Sequence, residues 1–299
     1  MRLLTLPCWP VFLALVALAG SACAAPPTAD AIAQRMLDCE ALYTITGGLK
    51  PVSEGFWRAR FPEDQDTSPE VDDARAVLKI LPLGPDLEAG VYVFTTPFGG
   101  KRSASAFVAH KPALRALIER RADVFEPLGI TTATPPQKVM EAIDRAPRST
   151  RWRGYGLVFG YPEYAVEFFV AAGEEQAENG TFVKRDFLNL PTFASDRGRF
   201  VYAVPKGHVE RDEDRKLNVM TVEIFTRYRA WRTVYLEGQK LGAVELLRVW
   251  LAPPVVSRPF CQPTTPFPVQ IFATDMTFQG CWSPCHPSVP RVRCRLLGR

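Results

Sequence analysis

Past its first twenty-five residues the chain lacks any apolar run long enough to cross a bilayer; stretches such as Val166 to Ala172 are too short. It lacks a Gly-x-Ser-x-Gly elbow, which removes the sequence support for a serine hydrolase. It has little net charge, +4 over 299 residues, with basic residues gathered near the end at Arg291, Arg293, Arg295 and Arg299, so nucleic-acid binding is not indicated. A basic tail of that kind either touches an anionic lipid or polymer surface or is simply solvated. No internal repeat is found. Gly99-Gly100-Lys101-Arg102-Ser103 is not a phosphate loop, because Thr95 stands where a glycine is required and Arg102 where Ser or Thr is required.

What the chain does have is an export-type leader. Arg2 supplies the positive start, Leu3, Leu4 and Leu6 lead into the apolar run Val11 to Ala19, and Ser21-Ala22-Cys23-Ala24 offers small residues for cleavage. Residues 1–24 read as a signal peptide, with the mature chain beginning near Ala25 and residing in a periplasm or outside the cell. Two alternatives keep the protein at a membrane. An uncleaved N-terminal anchor is one, although Pro7, Pro10, Gly20 and Ser21 interrupt the run; lipidation at Cys23 is the other, although Gly20 replaces the expected branched residue. Membrane contact is expected only in those two cases.

Composition is that of an ordinary globular protein, 47% hydrophobic and 23% charged. Cleavage after Ala24 leaves Cys39, Cys261, Cys281, Cys285 and Cys294, an odd number that an oxidising compartment cannot pair within one chain. Cys281, Cys285, His286 and Cys294 are metal-ligand types at poor zinc spacing. Cys39 lies between Asp38 and Glu40, which raise a thiol pKa, so it reads as a buried helix cysteine rather than a nucleophile.

Periodicity predicts an α+β domain over residues 25–252, a small mixed sheet covered by several helices, followed by an irregular Pro- and Cys-rich tail over residues 253–299. Helices are expected at Thr28 to Leu42, Val71 to Leu81, from Pro112, at Pro136 to Arg145, from Pro162 to about Gln176, from Glu210 to Gly238, and near Val244 to Trp250. Strands are expected at Val91 to Thr96 and Ser105 to Ala109, joined as a hairpin, and at Tyr155 to Phe159, Phe200 to Val204 and Pro268 to Thr274. Phe61 to Asp73 reads as an exposed loop, and Glu174 to Gly180 as a charged turn containing the Asn179-Gly180-Thr181 acceptor pattern.

Three strand-to-helix junctions carry polar residues: His110 and Lys111, Tyr161 and Glu163, and Lys206, His208 and Glu210. If the strands were parallel neighbours, these junctions would share the edge where helix N-termini and ligands meet. His110, Lys111, Tyr161, Glu163, Lys206 and His208 are therefore the candidate ligand-binding set. The first expectation is a non-catalytic envelope or extracellular protein that binds a small molecule or a partner, with no cofactor. The alternative is a metal-dependent hydrolase holding zinc through His110, Glu163 and His208. Local roles at helix starts account for the same residues. Two further patterns stand open. Gly47-Gly48-Leu49-Lys50-Pro51 suits either a helix cap or a close backbone approach, and the aromatics Tyr155, Phe159, Tyr161, Tyr164, Phe168 and Phe169 suit either core or groove.

Overall fold

The computed structural model describes residues 27–194 and 199–252. The leader, Cys23, the tail with its four cysteines and His286, and the strand expected at Pro268 to Thr274 all lie outside the described residues. In chain order the elements are α1 (Ala29–Asp38), α2 (Leu42–Ile45), β1 (Val52–Pro62), α3 (Pro69–Ile80), β2 (Leu87–Val93), β3 (Lys101–His110), α4 (Lys111–Arg120), α5 (Ala122–Phe125), α6 (Pro136–Arg145), α7 (Arg148–Val158), α8 (Glu163–Asn179), β4 (Arg185–Leu190), β5 (Phe200–Pro205), α9 (Asp212–Arg232) and α10 (Ala243–Leu251). A 3-10 turn at Glu126–Leu128 follows α5, and a π-helical turn at Thr233–Gly238 extends α9. Among the described residues, no helix is long and apolar enough to cross a membrane.

The α+β architecture follows from local signals. Thr28 caps α1, its hydroxyl accepting the Ala31 N–H at 3.1 Å, and Ile32, Ala33, Met36 and Leu37 form one buried stripe. That stripe packs with Leu246 and Leu247 of α10, whose first turn is tied back when the Val244 N–H donates to Asp30 at 2.8 Å. Ser68 caps α3 in the same way. Phe98 and Lys101 bridge the tight turn that closes the expected hairpin.

Every strand pair is antiparallel: one sheet has the order β1–β3–β2, and β4 pairs with β5 in a second. The central strand β3 is buried on both faces. Ala104, Ala106 and Val108 face a core shared with α1, α3 and α10, whereas Phe107 and Ala109 face a core shared with α4, α6 and α7. This alternation is the side-chain period of a strand.

The structure departs from the sequence expectations at several points. Phe61 to Asp73 is not wholly a loop, because β1 runs through Pro62 with Trp57, Ala59 and Phe61 buried and Arg58 and Arg60 exposed. Tyr155 to Phe159 is not a strand; Tyr155 to Val158 closes helix α7. Its Gly156 faces Val166 of α8, where an added Cβ would lie 2.8 Å from a valine methyl, so the two helices meet at a glycine. Glu174 to Asn179 continues α8 rather than turning. The strand β4 was not expected at all. With β3 and β5 in separate antiparallel sheets and the middle junction leaving a helix, the parallel edge required by the three-junction reading does not form.

Candidate functional site

The six sequence-derived residues are divided among several places. His110 caps α4, its Nδ1 accepting the Ala113 N–H at 3.2 Å, and burial lowers its pKa against the opposing pull of Asp86. Lys111 lines a depression of about 250 Å³ beside Glu88 and Thr134. Glu163 pairs with Arg121 at 3.0 Å and Arg120 at 3.6 Å. Lys206 pairs with Asp186 at 2.6 Å, where the Gly207 N–H also donates at 2.8 Å. Tyr161 and Glu163 share an open depression of about 610 Å³ with Gly48, Leu49 and Glu213, and Gly48 rests against His110. Two junctions therefore approach one another through the Gly47–Pro51 turn, and the third meets the start of α8 through the contact of His208 with Tyr164.

His208 belongs to a closed network at the start of α9. Its Nε2 lies 2.9 Å from Asp214 Oδ2, which also accepts the Arg211 N–H at 2.8 Å. Asp214 Oδ1 accepts the Tyr164 and Tyr202 hydroxyls at 2.5 and 2.6 Å. Burial disfavours the charged carboxylate, but these donors outweigh it and hold its pKa at about 2. His208 stacks on Tyr164, with ring centroids 5.4 Å apart. Among the described residues no three His, Cys, Asp or Glu side chains are grouped to hold a metal ion, so His110, Glu163 and His208 are not brought together.

Lys50 is wholly buried and ion-paired with Glu40. Its ammonium lies 4.1 Å from the centre of the Phe200 ring and 5.2 Å from that of Tyr161. The Gly47–Pro51 turn thus sends a cation inward among aromatic rings, which compensate part of its lost hydration. Cys39 is buried and unpaired, and burial, opposed by the Ala41 N–H, pushes its thiol up to about 12. It cannot serve as a thiolate at ordinary pH.

An aromatic chamber of about 330 Å³ lies between α7, α8 and the β4–β5 sheet. Trp152, Tyr155 and Phe159 come from α7 and its end, Tyr161 from the α7–α8 connection, Phe169 from α8, and Phe187 and Tyr202 from the two strands. Its volume lies in the range of small-molecule sites. Tyr155 and Phe159 stack at 5.5 Å, and Trp152 meets Phe169 edge-on at 5.4 Å. Gly173 makes the Trp152 position accessible: a Cβ there would overlap the indole ring. At the rim Phe169 is 37% and Phe187 57% exposed, so the apolar surface remains open. The Tyr161 hydroxyl makes no hydrogen bond among the described residues, and burial raises its pKa, leaving a neutral phenol with a free O–H donor.

Trp152 and Tyr155 also line an adjoining groove of about 560 Å³ above the uncovered end of β1 and β3. Arg58 and Arg60 reach it from β1, Arg151 from α7, and Thr96 and Ser103 contribute hydroxyls. Its acid, Asp144, accepts one hydrogen bond on each oxygen, from the Thr95 N–H at 2.6 Å and the Tyr155 hydroxyl at 3.1 Å. Beneath this region Glu54, beside a bulge in β1, accepts a hydrogen bond from Tyr92. Burial lifts the Glu54 pKa to about 7 against the attraction of Arg58.

Arg58, Arg60, Arg151 and Trp152 were missed from sequence. The available signal was the alternation Trp57-Arg58-Ala59-Arg60-Phe61, which marks a half-buried strand with arginines on one face. The aromatic series containing Tyr155, Phe159, Tyr161 and Phe169 was noticed, but its partner sheet was not. Comparisons with protein-family models, curated proteins and solved structures find no match for this chain.

Proposed function

We propose that this is an exported, non-catalytic protein that binds a small molecule through an apolar or aromatic body held in the chamber walled by Trp152, Phe169 and Tyr202. The observation that carries the reading is the chamber itself: an open aromatic cavity of about 330 Å³ lined in part by Tyr161, whose hydroxyl makes no hydrogen bond among the described residues. Apolar surface left exposed in a concave site is stabilised when a ligand removes it from water. Among the described residues near the chamber, the His208–Asp214 pair is engaged by Tyr164, Tyr202 and the Arg211 N–H rather than by a nucleophile. Export rests on the leader, and N-terminal sequencing of protein recovered from outside the cytosol should begin near Ala25.

Titration of the purified mature chain with the neutral fluorophore N-phenylnaphthylamine tests the chamber. Saturable, equimolar binding is expected, and Trp152→Ala should weaken it about tenfold while the fold persists. Failure of the neutral fluorophore to bind, or equal binding to the variant, would remove the chamber as the ligand site.

A further inference from the structure

We infer that the ligand is an amphiphile with an oxyanion head, carboxylate or phosphate monoester, its apolar body in the chamber and its head in the groove lined by Arg58, Arg60 and Arg151. The inference rests on the chamber being a ligand site and adds the head-group chemistry. Trp152 and Tyr155 line both spaces, so the apolar walls and the arginines adjoin the same two rings.

The charge pattern supports an anion specifically. Several arginines elsewhere pair with carboxylates, Arg102 with Asp66, Arg121 with Asp123 and Glu163, Arg153 with Glu167 and Arg232 with Asp38, while others, such as Arg148 and Arg185, rest on aromatic rings; the groove differs in gathering three guanidinium groups around one space. In the groove no carboxylate lies within ion-pair distance of Arg58, Arg60 or Arg151 among the described residues. Arg60 donates one N–H to the Phe98 carbonyl at 3.2 Å, and Arg151 donates one to the Asp144 carbonyl at 3.3 Å. Each guanidinium keeps further donors in a planar fork suited to an oxyanion. Neither nearby acid is ion-paired with these arginines: Asp144, which lines the groove, accepts from the Thr95 N–H and the Tyr155 hydroxyl, and Glu54 accepts from Tyr92 while exerting a longer-range pull on Arg58, so three arginines face one lining carboxylate.

Strand geometry explains why these cations gather. Trp57, Ala59 and Phe61 point into the core with α1 and α3, so the period of two places Arg58 and Arg60 together on the opposite face. There Arg58 lies across from Ser105 and Arg60 from Ser103. The helix α7 covers only part of that face and brings Arg151 to its edge.

Calorimetry with dodecanoate, dodecyl phosphate, dodecanol and dodecyltrimethylammonium, all below their micelle concentrations, tests the inference. One or both anions should bind at least about tenfold more tightly than the alcohol, the cation more weakly than the alcohol, and the preferred anion identifies the head. Arg58→Gln combined with Arg60→Gln, and separately Arg151→Gln, should remove the anion preference while leaving dodecanol and N-phenylnaphthylamine affinity unchanged. Equal affinity for anions and alcohol would overturn the head-group assignment and leave the chamber standing. Tight anion binding that survives all three arginine substitutions would overturn it as well. If neither the alcohol nor the neutral fluorophore binds, the chamber reading fails first.

Discussion

At Asp214 four donors converge on two carboxylate oxygens, whereas at Arg58, Arg60 and Arg151 a set of donors faces open space. The two regions contain similar residue types, with charged groups beside aromatic rings at the junction of strand and helix. Their difference is saturation. The Asp214 network uses its polar atoms to fix how α9, α8 and β5 meet, so a ligand would have to break hydrogen bonds to enter. The groove leaves donors unused next to an uncovered aromatic chamber, so a ligand can form bonds without displacing internal partners.

Removing the centre of the closed network should have the largest effect on folding. Asp214→Ala strands the buried Tyr202 hydroxyl and unties His208 and Arg211, and should cost about 3 kcal/mol in urea denaturation at neutral pH. The sign with pH is fixed by the carboxyl's low value. Because its pKa falls from 3.8 to about 2 on folding, its contribution is present above pH 3.8 and is lost as the pH falls through 2. The wild-type and Asp214→Ala stabilities should therefore converge in acid.

Glu54 provides the opposite pH dependence. Its pKa rises from 4.5 to about 7, so the folded state holds the proton more tightly, and this contribution is full below pH 4.5 and disappears as pH rises through 7. Glu54→Gln should abolish that slope, and above pH 7 it should be more stable than wild type by roughly 2 kcal/mol, measured by denaturation across the range. Loss of stability in the glutamine variant at every pH would show that Glu54 acts as a structural anion.

The smallest stability effect is expected in the open groove. Arg58→Gln and Arg60→Gln should each change unfolding free energy by no more than about 0.5 kcal/mol, because neither arginine has an ion-pair partner to lose. A loss of several kcal/mol would erase the contrast with Asp214 and make the groove a structural element.

Much of the fold was legible locally. The helix at Pro136 to Arg145 was read with its observed limits, because Pro136 opens it and Val139, Met140 and Ile143 form a clear buried stripe. The hairpin of β2 and β3 was legible from its Gly99-Gly100 turn, though the strands run longer than their β-branched centres suggested. The error at Tyr155 to Phe159 has a tertiary cause: a short aromatic run between glycines reads as a strand until Gly156 is seen against Val166 and the segment against α8. Of the candidate ligand-binding residues, Tyr161 lines the chamber, because its ring lies between the α7 end and Tyr202. The other five serve caps, ion pairs and separate depressions.

The sequence by itself determined an α+β chain, a helix start at Thr28, the buried thiol of Cys39 and the absence of common catalytic motifs. These follow from short-range rules, in which a residue's neighbours in the chain set its conformation or chemistry. Only the tertiary structure decided that β1 pairs with β3 and β4 with β5, that Lys50 turns inward to Glu40, that Asp214 is saturated, and that Arg58, Arg60 and Arg151 are not. Whether a polar group is satisfied depends on partners brought from distant segments, such as Tyr164 and Tyr202 to Asp214, and that pairing is set by how the layers pack.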